Sequence, residues 1–249
     1  MATADASVLA RATGGPPPIV VAIPTLNEED SIGDVVRSIP RAVATRVIVA
    51  DGGSTDATAE RARAAGADVI AAGKGYGRAC LRATEAADAD AIMVFMDGDG
   101  ADDVASIGAL VAPIAAGDCD FVIGSRVRGQ RESGSIAWHQ ILAGLLAGQA
   151  MRLLYGVSYT DMCAFRAIRR DALLPLGMRE MTYGWNIEMQ MRAARARLRI
   201  LELPVPYHRR TGGHSKVAGS LRGTIRAGTR IVATFGRVAT QSAPEARRS

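Results

Sequence analysis

The chemistry of this 249-residue chain concentrates in Asp97-Gly98-Asp99, two carboxylates one residue apart directly after the apolar run Ile92–Met96. Carboxylates so placed at a strand end reach one hard cation from a single backbone turn. Mg²⁺ or Mn²⁺, with phosphate oxygens completing the shell, is the natural tenant. Two further apolar runs end the same way, in Asn27-Glu28 and in Asp51-Gly52-Gly53-Ser54. Asp and Ser also serve as plain turns and helix caps, but three such clusters in register point to one site. Downstream, the loop Tyr207-His208-Arg209-Arg210-Thr211-Gly212-Gly213-His214-Ser215-Lys216 offers two guanidinium groups, an ammonium and two glycines. Such a loop suits a diphosphate, and its plainer reading is a solvated basic turn. His208 and His214, with no third ligand near them in sequence, read as structural or phosphate-facing rather than as a metal site.

The elements that must position these groups follow from the apolar pattern. The runs Ile19–Ile23, Val47–Ala50, Val69–Ala71, Ile92–Met96 and Phe121–Ile123 alternate with helix-like segments near 29–39, 56–65, 77–87 and 103–116. Short unbroken apolar runs between helices predict buried parallel strands of an α/β sheet. In open α/β sheets ligands bind at the carboxyl ends of the strands, where the acidic clusters fall. Further helices are expected near 137–154, 185–197 and 218–236, and strands at Phe165–Ile168 and Arg199–Val205. The small, Ala-rich residues 1–18 and the basic residues 239–249 read as disordered tails around one domain, 19–238. Gly73-Lys74-Gly75-Tyr76-Gly77-Arg78 follows the third strand and lacks the Walker order, so it is no dinucleotide or P-loop fingerprint. Two readings stay open there, Lys74 beside an anionic ligand or an ordinary turn.

Composition bounds the function. With 48% apolar residues the chain supplies a core, and with 4% aromatics it is no module built on aromatic platforms. The net charge of +5 hides an asymmetry: residues 1–120 carry 9 Lys+Arg against 18 Asp+Glu, and residues 121–249 carry 21 against 7. A basic half faces something anionic. Nucleic acid is disfavoured, because interleaved aromatics and reader motifs are lacking. Cys80, Cys119 and Cys163 form neither a disulfide framework nor a zinc spacing, so a reduced, cytoplasmic setting is expected. The sequence shows neither a signal-peptide layout nor a membrane-spanning run. On the last helix Arg222, Arg226 and Arg230 form a cationic stripe beside Leu221, Ile225, Ile231, Val232 and Phe235. That stripe suits peripheral contact with the inner face of the plasma membrane, each basic residue adding on the order of 1 kcal/mol. An ordinary solvated helix packed on the domain is the alternative.

The ordered set Ile19-Val20-Val21-Ala22-Ile23-Pro24-Thr25-Leu26-Asn27-Glu28-Glu29, Val49-Ala50-Asp51-Gly52-Gly53-Ser54-Thr55-Asp56, Asp97-Gly98-Asp99 and Gly124-Ser125-Arg126 resembles family 2 inverting glycosyltransferases. Asp161-Met162-Cys163-Ala164-Phe165-Arg166, Glu202-Leu203-Pro204-Val205-Pro206-Tyr207 and the basic loop are similar to the dolichyl- and polyprenyl-phosphate mannosyl- or glucosyltransferase branch. Tyr183-Gly184-Trp185-Asn186-Ile187-Glu188-Met189-Gln190 resembles a bacterial subgroup of it. The resemblance implies a GT-A (Rossmann-like) single domain with a mostly parallel sheet and a C-terminal amphipathic helix. It implies a metal-dependent transfer of a hexose from UDP-glucose or GDP-mannose to a polyprenyl phosphate. Pro24, Leu26, Glu28 and Asp51 would hold the nucleoside, Asp97, Gly98 and Asp99 the Mg or Mn diphosphate, and Lys74 would stand near it. Arg126, Arg209 and Lys216 would sit on phosphates. Two departures stand out, Gly52 where many members have a second Asp, and Trp138-His139-Gln140 where Arg or Lys for the acceptor phosphate is common.

The acceptor sets a chemical choice. A sugar hydroxyl needs a general base, for which Glu188 and Asp161 are the candidates, Glu188 being equally suited to pairing with an Arg or a helix dipole. A phosphate monoester, with a second pKa of about 6, needs none. The same donor chemistry on a soluble hydroxyl acceptor is therefore the alternative, and a sugar-nucleotide nucleotidyltransferase a further one. The latter wants a basic, Gly-rich loop after the first strand, where Thr25-Leu26-Asn27-Glu28-Glu29 stands instead. The sequence leaves a homo-oligomer open.

Overall fold

The computed structural model describes residues 15–136, 138–211 and 221–240. The segments read as tails, 1–18 and 239–249, fall largely outside these residues, as do His214 and Lys216. The β-branched runs form β1 (Ile19–Thr25), β2 (Arg46–Asp51), β3 (Asp68–Ala71), β4 (Ile92–Phe95), β5 (Phe121–Ser125), β6 (Arg166–Arg169) and β7 (Ile200–Pro204). Every strand expected from the apolar pattern is present within two residues of its predicted ends. Together they make one sheet in the order β3-β2-β1-β4-β6-β5-β7. All neighbours are parallel except β6, which runs antiparallel to both β4 and β5.

Side chains alternate across the strands, and each face is covered. Val21, Ile23, Val49 and Val94 pack with Ile32 and Val36 of α1 (Ile32–Ser38), Ala62 of α2 (Thr58–Ala64), and Ile107 and Leu110 of α4 (Ile107–Ala115). On the other face Val20, Ala22, Ile48 and Phe95 meet Ala79 and Cys80 of α3 (Tyr76–Glu85) and Met151 of α5 (Trp138–Tyr155). Trp185 and Ile187 of α7 (Trp185–Arg195) and Val238 of α8 (Leu221–Thr240) complete that layer. A short α6 (Arg170–Leu173) was not read from the sequence, its four residues being too few to show a helical period. α1 starts three residues later than expected, because Asn27 adopts a left-handed φ of 50° and residues 28–31 turn before the helix begins. The expected helix at 103–116 opens as a 3-10 turn, Val104–Ser106, capped by the Asp103 side chain.

Gly75 and Gly77 serve close packing. A Cβ at Gly75 would collide with the Met181 carbonyl oxygen, and one at Gly77 with that of Glu180. The glycines of the Lys74 loop thus admit the 180–181 backbone, and Arg78 N–H donates to Met181 O at 3.1 Å.

Candidate active site

Because β2, β1 and β4 are adjacent and parallel, the turns that follow them share one edge of the sheet. Side chains then staple those turns together. Asn27 N–H donates to Ser54 Oγ and Thr55 N–H donates to Asn27 Oδ1, both at 2.9 Å. Glu28 N–H donates to Thr58 Oγ1 at 2.8 Å, and Asp51 accepts from Ser54 N–H and Oγ–H at 3.1 and 2.5 Å. Ser31 Oγ, before α1, donates to Gly98 O at 2.7 Å and ties the β4 turn to the β1 turn. Gly98 lies so close to Thr25 and Ile23 that a Cβ there would stand 2.9 Å from Thr25 Cγ2. At Gly52 a Cβ would approach Thr25 O to 3.1 Å, a close fit between the β1 and β2 turns.

These turns open onto a cleft of about 660 Å³. Pro24, Leu26, Glu28, Lys74, Asp97 and Asp99 line it, all of them expected from sequence. Asp51 stands next to this wall, paired in register with Thr25, while its neighbour Gly52 reaches the cleft.

Burial, and then the neighbouring Asp99 charge, push the Asp97 carboxyl up to about 6, against the pull of Arg210 and Arg126. Asp99 is 2% exposed; its Oδ1 accepts from Ala101 N–H at 2.9 Å. Its Oδ2 lies 2.9 Å from Arg210 Nη2, an ion pair that leaves this buried oxygen without an aligned hydrogen bond. A carboxylate oxygen held only by an unaligned guanidinium, beside a reluctantly ionised second carboxylate, fits a divalent cation, with further ligands coming from a substrate. Among the described residues no third His, Cys, Asp or Glu joins the pair.

Several expectations are corrected by the geometry. Arg209 does not face the acidic pair: its Nε and Nη2 donate to Ser133 O at 2.8 and 2.6 Å, and its neighbour Arg210 takes the place on Asp99. Glu188 is fully buried and does not line the cleft. Its Oε2 accepts Arg179 N–H and Glu180 N–H at 2.9 and 2.6 Å, and its Oε1 pairs with Arg192 at 2.9 Å and Arg237 at 3.4 Å. A carboxylate so engaged anchors the 178–182 loop and is out of reach of the cleft. Asp161 is likewise engaged: Arg126 donates to it through Nε and Nη2 at 2.8 and 2.7 Å, and Met162 N–H at 2.7 Å. Arg126 itself, 5.0 Å from the Tyr207 ring centroid, is not among the residues that line the cleft and acts on Asp97 through its field.

Sequence reasoning missed Arg210, Asn186, Thr182 and Arg230 as cleft residues. Arg210 was one residue from the expected cation. Arg230, read from the sequence as part of a membrane-facing stripe, turns with Thr234 and Arg237 of α8 toward Glu180, a pairing across 50 residues that no local pattern encodes. The side chains of Arg222 and Arg226 lie outside the described residues.

Known proteins place this architecture. Residues 20–176 match the model of the family described as Glycosyl transferase family 2. An uncharacterized glycosyltransferase of Mycobacterium tuberculosis (strain ATCC 25618 / H37Rv) is 37% identical over 210 residues, 83% of this chain and 93% of that protein. The polyprenol monophosphomannose synthase of Mycolicibacterium smegmatis is 28% identical over 216 residues, 81% of each chain. Among solved structures, glucosyl-3-phosphoglycerate synthase from Mycobacterium tuberculosis in complex with Mn²⁺, uridine-diphosphate and glucosyl-3-phosphoglycerate superposes with a TM-score of 0.72 at 25% identity. That likeness covers 94% of this chain and 83% of that one. The sheet, the acidic edge and these relatives agree with the GT-A fold expected from sequence, and the chain belongs to glycosyl transferase family 2.

Proposed function

We propose that the protein moves a hexose from UDP-glucose or GDP-mannose to a polyprenyl phosphate at a membrane surface, with inversion at the anomeric carbon. One observation carries the choice of acceptor. Glu188 and Asp161, the carboxylates that would activate a hydroxyl, are both committed to arginines and backbone amides. The carboxylates left lining the cleft are Glu28, Asp97 and Asp99, on the donor side. A phosphate monoester attacks without a base, being largely ionised at neutral pH. The relative named for polyprenol monophosphomannose supports the same acceptor class.

In this reading Pro24, Leu26, Glu28 and the Asp51 turn hold the nucleoside, and Lys74 and Arg210 bring positive charge to the diphosphate. Asp97 and Asp99 would hold Mg²⁺ or Mn²⁺, which when bound neutralises charge on the leaving diphosphate. The solved relative's complex with Mn²⁺ and uridine-diphosphate supports that cofactor. Since a protonated Asp97 is no ligand, Mn²⁺ affinity is expected to fall as pH drops through about 6. Electron paramagnetic resonance titrations should find binding about tenfold weaker at pH 5 than at pH 7.5. Equal affinity at the two values would count against this ligand set.

Membrane contact has support in α5. Trp138, Leu142, Leu146 and Leu153 are 75%, 48%, 62% and 86% exposed, and the helix carries no acidic residue. Among the described residues no helix is long and apolar enough to cross a membrane, so this face would lie in the interface instead.

The test supplies each donor with Mn²⁺ and, in parallel, farnesyl phosphate, farnesol and free sugars. Transfer to farnesyl phosphate and not to farnesol is expected, and faster in the presence of phosphatidylglycerol vesicles. Transfer confined to hydroxyl acceptors would replace the reading with a soluble hexosyltransfer.

A further inference from the structure

We propose that Arg230 is the anchor for the acceptor's phosphate monoester and that Glu180 is the positioning residue that sets it. The inference rests on a phosphate-bearing acceptor, but not on that acceptor being a lipid. The cleft is electrostatically divided. Asp97, Asp99 and Glu28 line the wall built by β1 and β4, whereas the wall built by the 182–186 segment and α8 presents Thr182, Tyr183, Asn186, Arg230 and Ile231. A dianion meets no carboxylate among those five. Arg210 is already drawn to Asp99 on the opposite wall, leaving Arg230 as the guanidinium of this one.

The geometry fixes that guanidinium by one edge. Arg230 Nε donates to Glu180 Oε1 at 3.2 Å, and among the described residues no such bond leaves its terminal nitrogens. Arginine held at Nε keeps a planar pair of N–H groups for a phosphate. Glu180 is buried and anchored from both sides of the wall. Its Oε1 accepts from Thr182 N–H and Oγ–H at 3.0 and 2.5 Å; its Oε2 accepts from Thr234 Oγ–H at 3.0 Å and lies 3.7 Å from Arg237. One carboxylate therefore locks the cleft loop to α8 and orients Arg230.

An independent observation marks the same wall as ligand-completed. Asn186 lines the cleft, and its buried Oδ1 has no hydrogen-bond partner among the described residues. Its amide can offer either that oxygen to a hydroxyl or, turned over, its NH₂ to a phosphate. Ile231 follows Arg230 on the wall and gives an apolar neighbour to whatever the phosphate carries.

Calorimetry on the full chain with Mn²⁺ and, in turn, UDP and GDP tests this, with farnesyl phosphate, farnesol, 3-phosphoglycerate and glycerate as titrants. Arg230→Ala should weaken the phosphate ligand that the wild type binds by at least about tenfold, a charge-assisted contact's worth. The dephosphorylated counterpart should change less than twofold. Arg230→Lys should recover part of the loss, and Glu180→Gln should reproduce part of it with the melting temperature recorded alongside. Farnesyl phosphate binding supports the lipid source. Binding of 3-phosphoglycerate alone, still sensitive to Arg230, would keep this inference and sink the lipid acceptor. Phosphate ligands that bind Arg230→Ala as tightly as wild type, or that bind wild type no better than their dephosphorylated counterparts, would overturn it.

Discussion

Replacing Asp99 by Asn is expected to lower sugar transfer by roughly 10³-fold, the scale of removing a preorganised electrostatic group from a dry site. The carboxylate is 2% exposed, adjoins Asp97, and has one oxygen with no aligned hydrogen bond. Asparagine keeps its shape and can still accept from Ala101 N–H, but it lacks the charge a cation requires. The fold should tolerate the change, because loss of the Arg210 pair is offset by relief of repulsion with Asp97. Transfer and slow donor hydrolysis, measured beside a thermal melt, check this. A variant with wild-type melting and more than a tenth of the activity would remove Asp99 from the chemistry.

The second large effect is on stability. Glu188→Ala is expected to cost about 3–5 kcal/mol, because it leaves Arg192 and Arg237 facing an empty buried position. It also strips two backbone N–H groups, of Arg179 and Glu180, of their acceptor. For a chain of this size the melting temperature should fall by roughly 10 °C. Activity per folded molecule at low temperature should keep its pH profile, since no proton passes through this carboxylate. Unaltered melting with transfer abolished would restore Glu188 as a base.

The sheet was legible because its strands are unbroken apolar runs, a signal that depends on composition over several residues and not on any one of them. The donor wall was legible for a related reason: Asp51 and Asp97 follow such runs directly and Glu28 lies in the turn after the first, so finding the strands located the acids. The partners of the charged side chains depend on finer choices. Arg209 and Arg210 differ by one position in an extended segment, where alternate side chains diverge. The pairings His208 N–H to Ala101 O and Thr211 N–H to Asp99 O decide which of them meets Asp99. Glu188 carried a readable sign of its role, Arg192 four residues on along the same helix, but its second partner Arg237 comes from α8 and no local pattern announces it. Lys216 lies outside the described residues, so its place in the expected phosphate grip is an open proposal.

The reversed strand β6 has an evolutionary consequence. Chain leaves the carboxyl end of β5 at Ser125 and returns at Arg166, whose partner in the ladder is Ile123. Residues 126–165, α5 included, therefore form an excursion whose two ends lie about one strand spacing apart. A segment tethered so narrowly can lengthen, shorten or be exchanged without shifting the register of any strand. Selection could thus remodel the exposed apolar helix and the rim it supports as a cassette, while the acidic edge descends unchanged.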